Sequence, residues 1–227
     1  MNYLAHMLCS TDSPASMLGN FIADFVKGNA EGRFPREVVE GIRHHRKADC
    51  FTDSHAVFGA SRRLISSSRR RYAGVIIDVL YDHFLTTSWD RYCSIGLDAF
   101  VGRVYENLGR HQVAVPHPVP MVIEKMVRED WLRCYGTVEG IDRTFRRISG
   151  RLRRENTLNT AAEVLERNYA LLQDHFHCFF PQLMALFRTR SQDAAREPEI
   201  ACHFGVDTTS MNRAIERAEG SRSDAMH

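Results

Sequence analysis

Apolar residues recur along most of the chain three and four positions apart, the period of a helix that buries one face. Residues 2–9 form a first short helix or an extended lead-in. "PASMLGNFIADFVK", residues 14–27, is amphipathic; Pro14 suits an early helical position and Gly28 the residue just past the end. Pro35 opens a third helix that runs to about residue 54, and "YAGVIIDVLYDHFLTTSW", 72–89, is the most apolar helix of all. Helices over 96–110 and 120–135 follow, parted by the proline-spaced loop "VAVPHPVP", and two more span about 138–155 and 158–187. Pro181 lacks an amide donor and is expected to break or kink the last helix. Clean period-two alternation is scarce and Gly-rich hairpin signals are missing, so the pattern predicts an all-α single helical domain over 1–187. Beyond residue 187 the chain is polar and weakly periodic. Residues 188–227 read as a polar C-terminal tail, mobile or loosely docked, with room for a short helix at about 209–219 before Gly220.

Composition narrows the class. A chain of 227 residues buries roughly 70% of its unfolded surface on folding and needs no staples. A net charge of +2 calls for neither nucleic acid nor a membrane. None of the six cysteines forms a CxxC pair, which excludes a zinc ribbon. "MNYLAHMLCS" has no basic n-region and stops at a polar "STDSP", so no signal peptide is expected. No stretch is long and apolar enough to cross a bilayer. The expected setting is the reducing cytoplasm, with free thiols.

The notable feature is titratable groups on core-facing stripes. On the third helix Val38, Ile42, His45, Asp49 and Thr52 or Asp53 share one broad stripe. A lone carboxylate buried there would cost several kcal/mol or neutralise itself, so a cation, an arginine or a water-filled cleft must compensate. The helix over 72–89 repeats the anomaly with Asp78 and Asp82 four apart and His83 beside them. Asp24 follows Asn20 by one turn, and His6 follows Asn2. Taken singly, each is more simply a satisfied core or surface residue; together they point to one shared polar site. Imidazole plus carboxylate is a ligand set for Mn, Fe, Zn or Mg. A bound ion would turn carboxylate repulsion into binding and acidify a water for attack on phosphorus.

At these residues the sequence resembles a known family. "MNYLAH", "GNFIADFVKG", "HRKADCFTD" and "DVLYDHFL" occur in the order and near the spacing of acyl carrier protein phosphodiesterases, also called acyl carrier protein hydrolases. That family is similar to the all-helical His-Asp metal-dependent phosphohydrolases. The likeness continues through Trp89, "WL" at 131–132 with Tyr135, "GI" at 140–141, "RLRR" at 151–154 and "FPQLM" at 180–184, and covers about residues 1–187. It implies an enzyme by which water releases the 4'-phosphopantetheine arm from the serine of holo acyl carrier protein, leaving apo carrier protein. It implies a divalent metal, manganese first, with Fe, Co or Mg as alternatives. Carried over residue by residue, the metal candidates are His6, Asp24, His45, Asp49, Asp53, Asp78, Asp82 and His83. Asp24, His45, Asp49 and Asp82 are the catalytic candidates, Asp24 foremost, with one carboxylate or histidine handling the water's proton. His44 is peripheral, because the matching histidine is the second of the pair. Ala48 replaces a larger aliphatic residue, and the segment beyond 187 has no counterpart.

Two arginine-rich runs remain, "SRRLISSSRRR" at 61–71 and "RTFRRISGRLRRE" at 143–155. The plain reading is two solvated faces. The sharper one is a docking rim for the small acidic carrier protein, with Arg69, Arg70 and Arg71 as contacts. No base-stacking aromatics interleave these arginines, which ranks nucleic acid last. Phe176, Phe179, Phe180 and Trp131 fall at helical spacing and are expected in the core. The competing functions are a metal phosphohydrolase acting on a nucleotide or other small phosphoester, and a helical binding protein that keeps the pocket without catalysis.

Overall fold

A computed structural model describes residues 1–11, 13–111, 113–152 and 155–187. The expectations for residues 188–227, including the helix at 209–219, lie outside the described residues. Among the described residues the chain is all-α, with nine helices linked by turns and short 3₁₀ segments. They are α1 (Tyr3–Leu8), α2 (Pro14–Ile22), α3 (Arg36–Ser54), α4 (Ala56–Arg63), α5 (Ala73–Thr87), α6 (Leu97–Gly109), α7 (Val119–Arg128), α8 (Val138–Ser149) and α9 (Glu163–Ala185). No described helix is long and apolar enough to cross a membrane.

The apolar helix α5 is the core of the domain. Ile76, Ile77, Val79, Leu80, Tyr81, Phe84 and Leu85 are all buried, so it is covered on nearly every side. Phe176, Phe179 and Phe180 of α9 pack into the same core, and the Tyr81 ring lies 5.5 Å from both Phe176 and Phe179. Trp131 is fully buried too.

Several boundaries differ from the sequence pattern, each for a local reason. The helix α4 was not anticipated. His55 turns extended (φ −78°, ψ 127°) and its Nδ1 accepts from the Val57 amide at 3.3 Å, so a new helix starts without proline or glycine. Burial of Val57, Phe58 and Ser61 holds α4 in place. The Ser61 hydroxyl bonds the Tyr81 hydroxyl and His175 Nδ1, each at 2.8 Å. The helix α7 stops at Arg128, not 135, because Asp130 takes φ 48°. The helix α8 ends at Ser149, not 155. In α9 the backbone leaves helical geometry at Asn168 (φ −128°, ψ 20°), whose amide side chain donates to Val164 O at 3.0 Å. Pro181 lies inside α9, which continues to Ala185 without leaving helical geometry there.

The pairing of α2 with α3 sets the site. The two backbones touch at glycines: a Cβ on Gly19 would stand 2.0 Å from Val38 O, and one on Gly41 2.1 Å from Ser16 O. Neither obstacle is a side chain that can swing away. Gly41→Ala is therefore expected to push α2 off α3, at a cost of about 1–3 kcal/mol or more. It should lower the thermal midpoint and activity together, since α2 leads into Asp24 and α3 carries His45. An unchanged midpoint would contradict this packing.

Candidate metal centre

Four elements meet at a cleft of about 430 Å³. His6 projects from α1, and Asp24 from a 3₁₀ turn (Ala23–Phe25) that extends α2. His45 and Asp49 lie one turn apart on α3, and Asp78 comes from α5. The His6 and His45 rings stack with centroids 3.9 Å apart and planes 10° from parallel. Both aim Nε2 at Asp49: His6 at 3.1 Å from Oδ1, His45 at 3.0 Å from Oδ2. His45 Nε2 is also 3.2 Å from Asp24 Oδ1. One ligand atom each from His6, His45 and Asp49 lie within 4.8 Å of one another.

The hydrogen-bond network settles which nitrogen of His45 faces the cleft. Asn20 Nδ2 donates to His6 O at 3.0 Å, which leaves Asn20 Oδ1 to face His45 Nδ1 at 3.2 Å. An amide oxygen only accepts, so Nδ1 carries a hydrogen. A neutral His45 then presents a bare lone pair at Nε2, as a metal-ligating imidazole with an outer hydrogen bond does.

Without an ion, Nε2 of His45 faces two carboxylates. Burial works against its charge, but the hydrogen bonds His45 Nε2 donates to Asp24 and Asp49 outweigh that and raise its pKa to about 9. The proton it keeps stands where the donor set asks for a cation. Burial would raise the Asp49 carboxyl, yet the two imidazoles hold it well below the usual carboxylate range. Asp24 is lowered by the hydrogen bond from His45. His6 moves the other way: burial drops it to about 4, so it is neutral, and its Nδ1 is buried with no hydrogen-bond partner among the described residues. Two imidazole nitrogens and a carboxylate, with Asp24 adjoining, fit a divalent ion of the first transition row.

Comparison with known proteins gives this cleft a family. A profile for acyl carrier protein phosphodiesterase matches residues 1–183. The chain belongs to the acyl carrier protein phosphodiesterase family. A Photorhabdus laumondii protein named acyl carrier protein phosphodiesterase is 34% identical over 185 residues, which is 81% of this chain and 93% of the relative. Proteins of the same name from Serratia proteamaculans and Yersinia pestis are 34% and 31% identical, covering 81% of this chain and 96% of each relative. The likeness thus spans nearly the whole of each relative, not one shared motif. No solved structure matches the chain.

Of the motif positions carried over from the family, His6, Asp24, His45 and Asp49 meet directly. Asp78 borders the same cleft, its Oδ1 2.9 Å from the Met1 amine. Burial raises the Asp78 carboxyl pKa more than the amine lowers it. Asp53 sits at the rim with its side chain 76% exposed, 4.0 Å from Arg62. The inward stripe of α3 ends on Thr52, which is buried and donates to Ala48 O at 2.7 Å.

Asp82 and His83 do not join the cleft. Asp82 lies beneath α1 and accepts from the Leu4 amide at 2.9 Å and the Ala5 amide at 3.2 Å. These are amides of the first turn, which have no partner within a helix, and no side chain of Asn2 serves them. Burial pushes the Asp82 carboxyl up to about 7, against the pull of those two amides. His83 turns away, with Nδ1 2.8 Å from Tyr135 O and Nε2 3.4 Å from the Tyr169 hydroxyl.

The docking arginines also divide. Arg69 is tied down by Thr157 O at 3.2 Å, Thr160 Oγ1 at 2.7 Å and an ion pair with Glu163. Arg70 and Arg71 are exposed. Sequence reasoning missed Tyr3, Arg151 and the outer role of Asn20. Arg151 stood inside the run "RTFRRISGRLRRE", where charge alone does not separate a cleft residue from a solvated one.

Proposed function

We propose that the protein hydrolyses the phosphodiester joining 4'-phosphopantetheine to the serine of holo acyl carrier protein, with a divalent ion held by His6, His45 and Asp49. The reading rests on the convergence of those three side chains in a chain whose relatives are named acyl carrier protein phosphodiesterases. Two imidazoles and a carboxylate suit a divalent first-row ion; the family resemblance, not the donor set, puts manganese first, with Fe, Co or Mg as alternatives. When bound, such an ion supplies Lewis acidity, lowering a water's pKa and offsetting phosphate charge.

The protein's own groups do the rest. Asp49 holds both imidazoles in register, and Asn20 fixes His45 with Nε2 toward the cleft. Asp24, its side chain 60% exposed and 3.2 Å from His45 Nε2, takes the water's proton. Water adds to phosphorus, the serine oxygen leaves and regains a proton, and the products are apo carrier protein and free 4'-phosphopantetheine. Arg70 and Arg71 offer a positive face to the acidic carrier protein. Kinship with the His-Asp phosphohydrolases, and operation in the cytoplasm, belong to the same reading.

The test is mass analysis of holo carrier protein after incubation with purified protein and each metal in turn. The expected result is loss of one phosphopantetheinyl group, with manganese most effective. An intact arm under every metal, alongside turnover of a nucleotide, would replace this reading with that of a small-phosphoester hydrolase. A metal-free protein inert in both assays would replace it with that of a binding protein.

A further inference from the structure

Arg151 follows α8 and reaches the cleft wall. Among the described lining residues it is the one arginine or lysine, in company with Asp24, Asp49, Asp53 and Asp78. It forms no ion pair with a carboxylate of the described residues. It packs instead on an aromatic face. Its guanidinium lies 5.0 Å from the centroid of the Trp131 ring, and Arg147 covers the same ring at 4.0 Å. Trp131 is fully buried and so is a rigid platform. Tyr3 lines the same cleft wall as Arg151, and its hydroxyl lies within electrostatic reach of both Arg151 and Asp24. The cation thus sits solvent-exposed at the edge of an acidic cleft, packed on Trp131 and with no ion pair to a carboxylate among the described residues.

In such a cleft a cation on the wall adds to the bound ion in receiving an anionic substrate. A guanidinium presents two parallel N–H groups matched to two oxygens of one phosphate. Arg151 further borders a second cleft of about 330 Å³, formed with Pro118, Met121, Val122, Glu124, Lys125 and Arg128 along α7. The two clefts share this one side chain. A ligand whose phosphate sits in the middle, with a chain on either side, fits that arrangement better than one that ends in phosphate.

We propose that Arg151, packed on Trp131 with Tyr3 beside it at the cleft wall, is the binding site for the non-bridging phosphate oxygens of a phosphodiester substrate. This deepens the reading given under Proposed function and rests on it for the identity of the diester. Arg151 contacts the substrate; Tyr3 acts through Arg151 and is a positioning residue.

Two measurements on the metal-loaded protein decide it: calorimetric binding of 4'-phosphopantetheine and of pantetheine, and KM and kcat with holo carrier protein. Arg151→Ala is expected to weaken 4'-phosphopantetheine binding by about tenfold to a hundredfold, the worth of one hydrogen-bonded charge pair. Pantetheine binding, metal content and the thermal midpoint should not change. KM should rise, Arg151→Lys should recover part of the loss, and Tyr3→Phe should show a smaller loss of the same kind. Unchanged 4'-phosphopantetheine binding in Arg151→Ala would overturn the assignment. So would an equal loss for pantetheine, or a wild-type protein that binds neither ligand. Should Arg151→Ala not fold, a wild-type Kd in both Arg151→Lys and Tyr3→Phe overturns it. Wild-type protein that binds 4'-phosphopantetheine through Arg151 but leaves holo carrier protein intact would refute the proposed activity and keep the phosphate site.

Discussion

Asp49→Ala is expected to abolish cation binding and turnover together. Asp49 is the one carboxylate that engages both His6 and His45, through different oxygens. Its removal takes away a ligand and frees both rings to rotate. The Lewis acidity lost is worth several kcal/mol, so the rate should fall on the order of a thousandfold or more. The metal-free protein carries a second signature. The pKa of His45 is raised from 6.5 to about 9, because Asp24 and Asp49 together outweigh the cost of burial. In that range the native state binds more protons than the unfolded one, so stability falls as pH rises. The contribution is fully present below pH 6.5 and lost through pH 9, with a ceiling on the order of 3 kcal/mol. Asp24 and Asp49 are lowered, so their contribution is present above the ordinary carboxylate pKa of 3.8 and lost as pH falls. Asp49→Ala should shrink the alkaline limb, since Asp24 alone is then left to offset burial at His45. Urea unfolding of metal-free wild type and variant at pH 6 and pH 9 reads this directly. A limb of wild-type size would show that Asp49 does not help hold the His45 proton.

The second large effect comes from a residue outside the cleft. Asp82→Ala leaves the Leu4 and Ala5 amides buried without partners, at about 1–3 kcal/mol each, for a total of about 2–6 kcal/mol. The helix α1 would loosen over α5, carrying His6 with it, so activity should fall as a consequence of lost structure. Asp82→Asn keeps one acceptor and should lie between. The measurement is the denaturation midpoint by circular dichroism beside metal content. A variant with the wild-type midpoint but no bound metal would place Asp82 among the ligands instead.

These two residues mark what the sequence could and could not say. The stripe on α3 was legible because burying His45 and Asp49 carries a cost that some partner must offset, whatever the fold. His6 was legible through the same cost on α1, and Asp24 through its place one turn after Asn20, although its side chain is 60% exposed on the turn that extends α2. The outcome at Asp82 and His83 was not, because a helical wheel gives the direction of a side chain and not what covers it. The helix α5 is buried on nearly every side, so its polar groups meet different neighbours: the Met1 amine for Asp78, the α1 amides for Asp82, the Tyr135 carbonyl for His83. The same limit applies to the elements. The long amphipathic helices announced themselves by period, whereas α4 has eight residues and buries three, too few for a period to stand out. The end of α7 depends on the positive φ of Asp130, which no local residue type required. Pro181 stayed in α9 because α9 is packed along its length by Phe176, Phe179, Phe180 and Leu183.

The central claim is that His6, His45 and Asp49 form a divalent-cation centre whose place the His45 proton holds in the metal-free protein. Titration of metal-free protein with manganese at pH 7, by calorimetry in two buffers of different ionisation enthalpy, tests it most directly. The account predicts saturable binding that releases about one proton per ion, since a ligating imidazole must be neutral. Absence of saturable binding, or binding with no proton release, would contradict it.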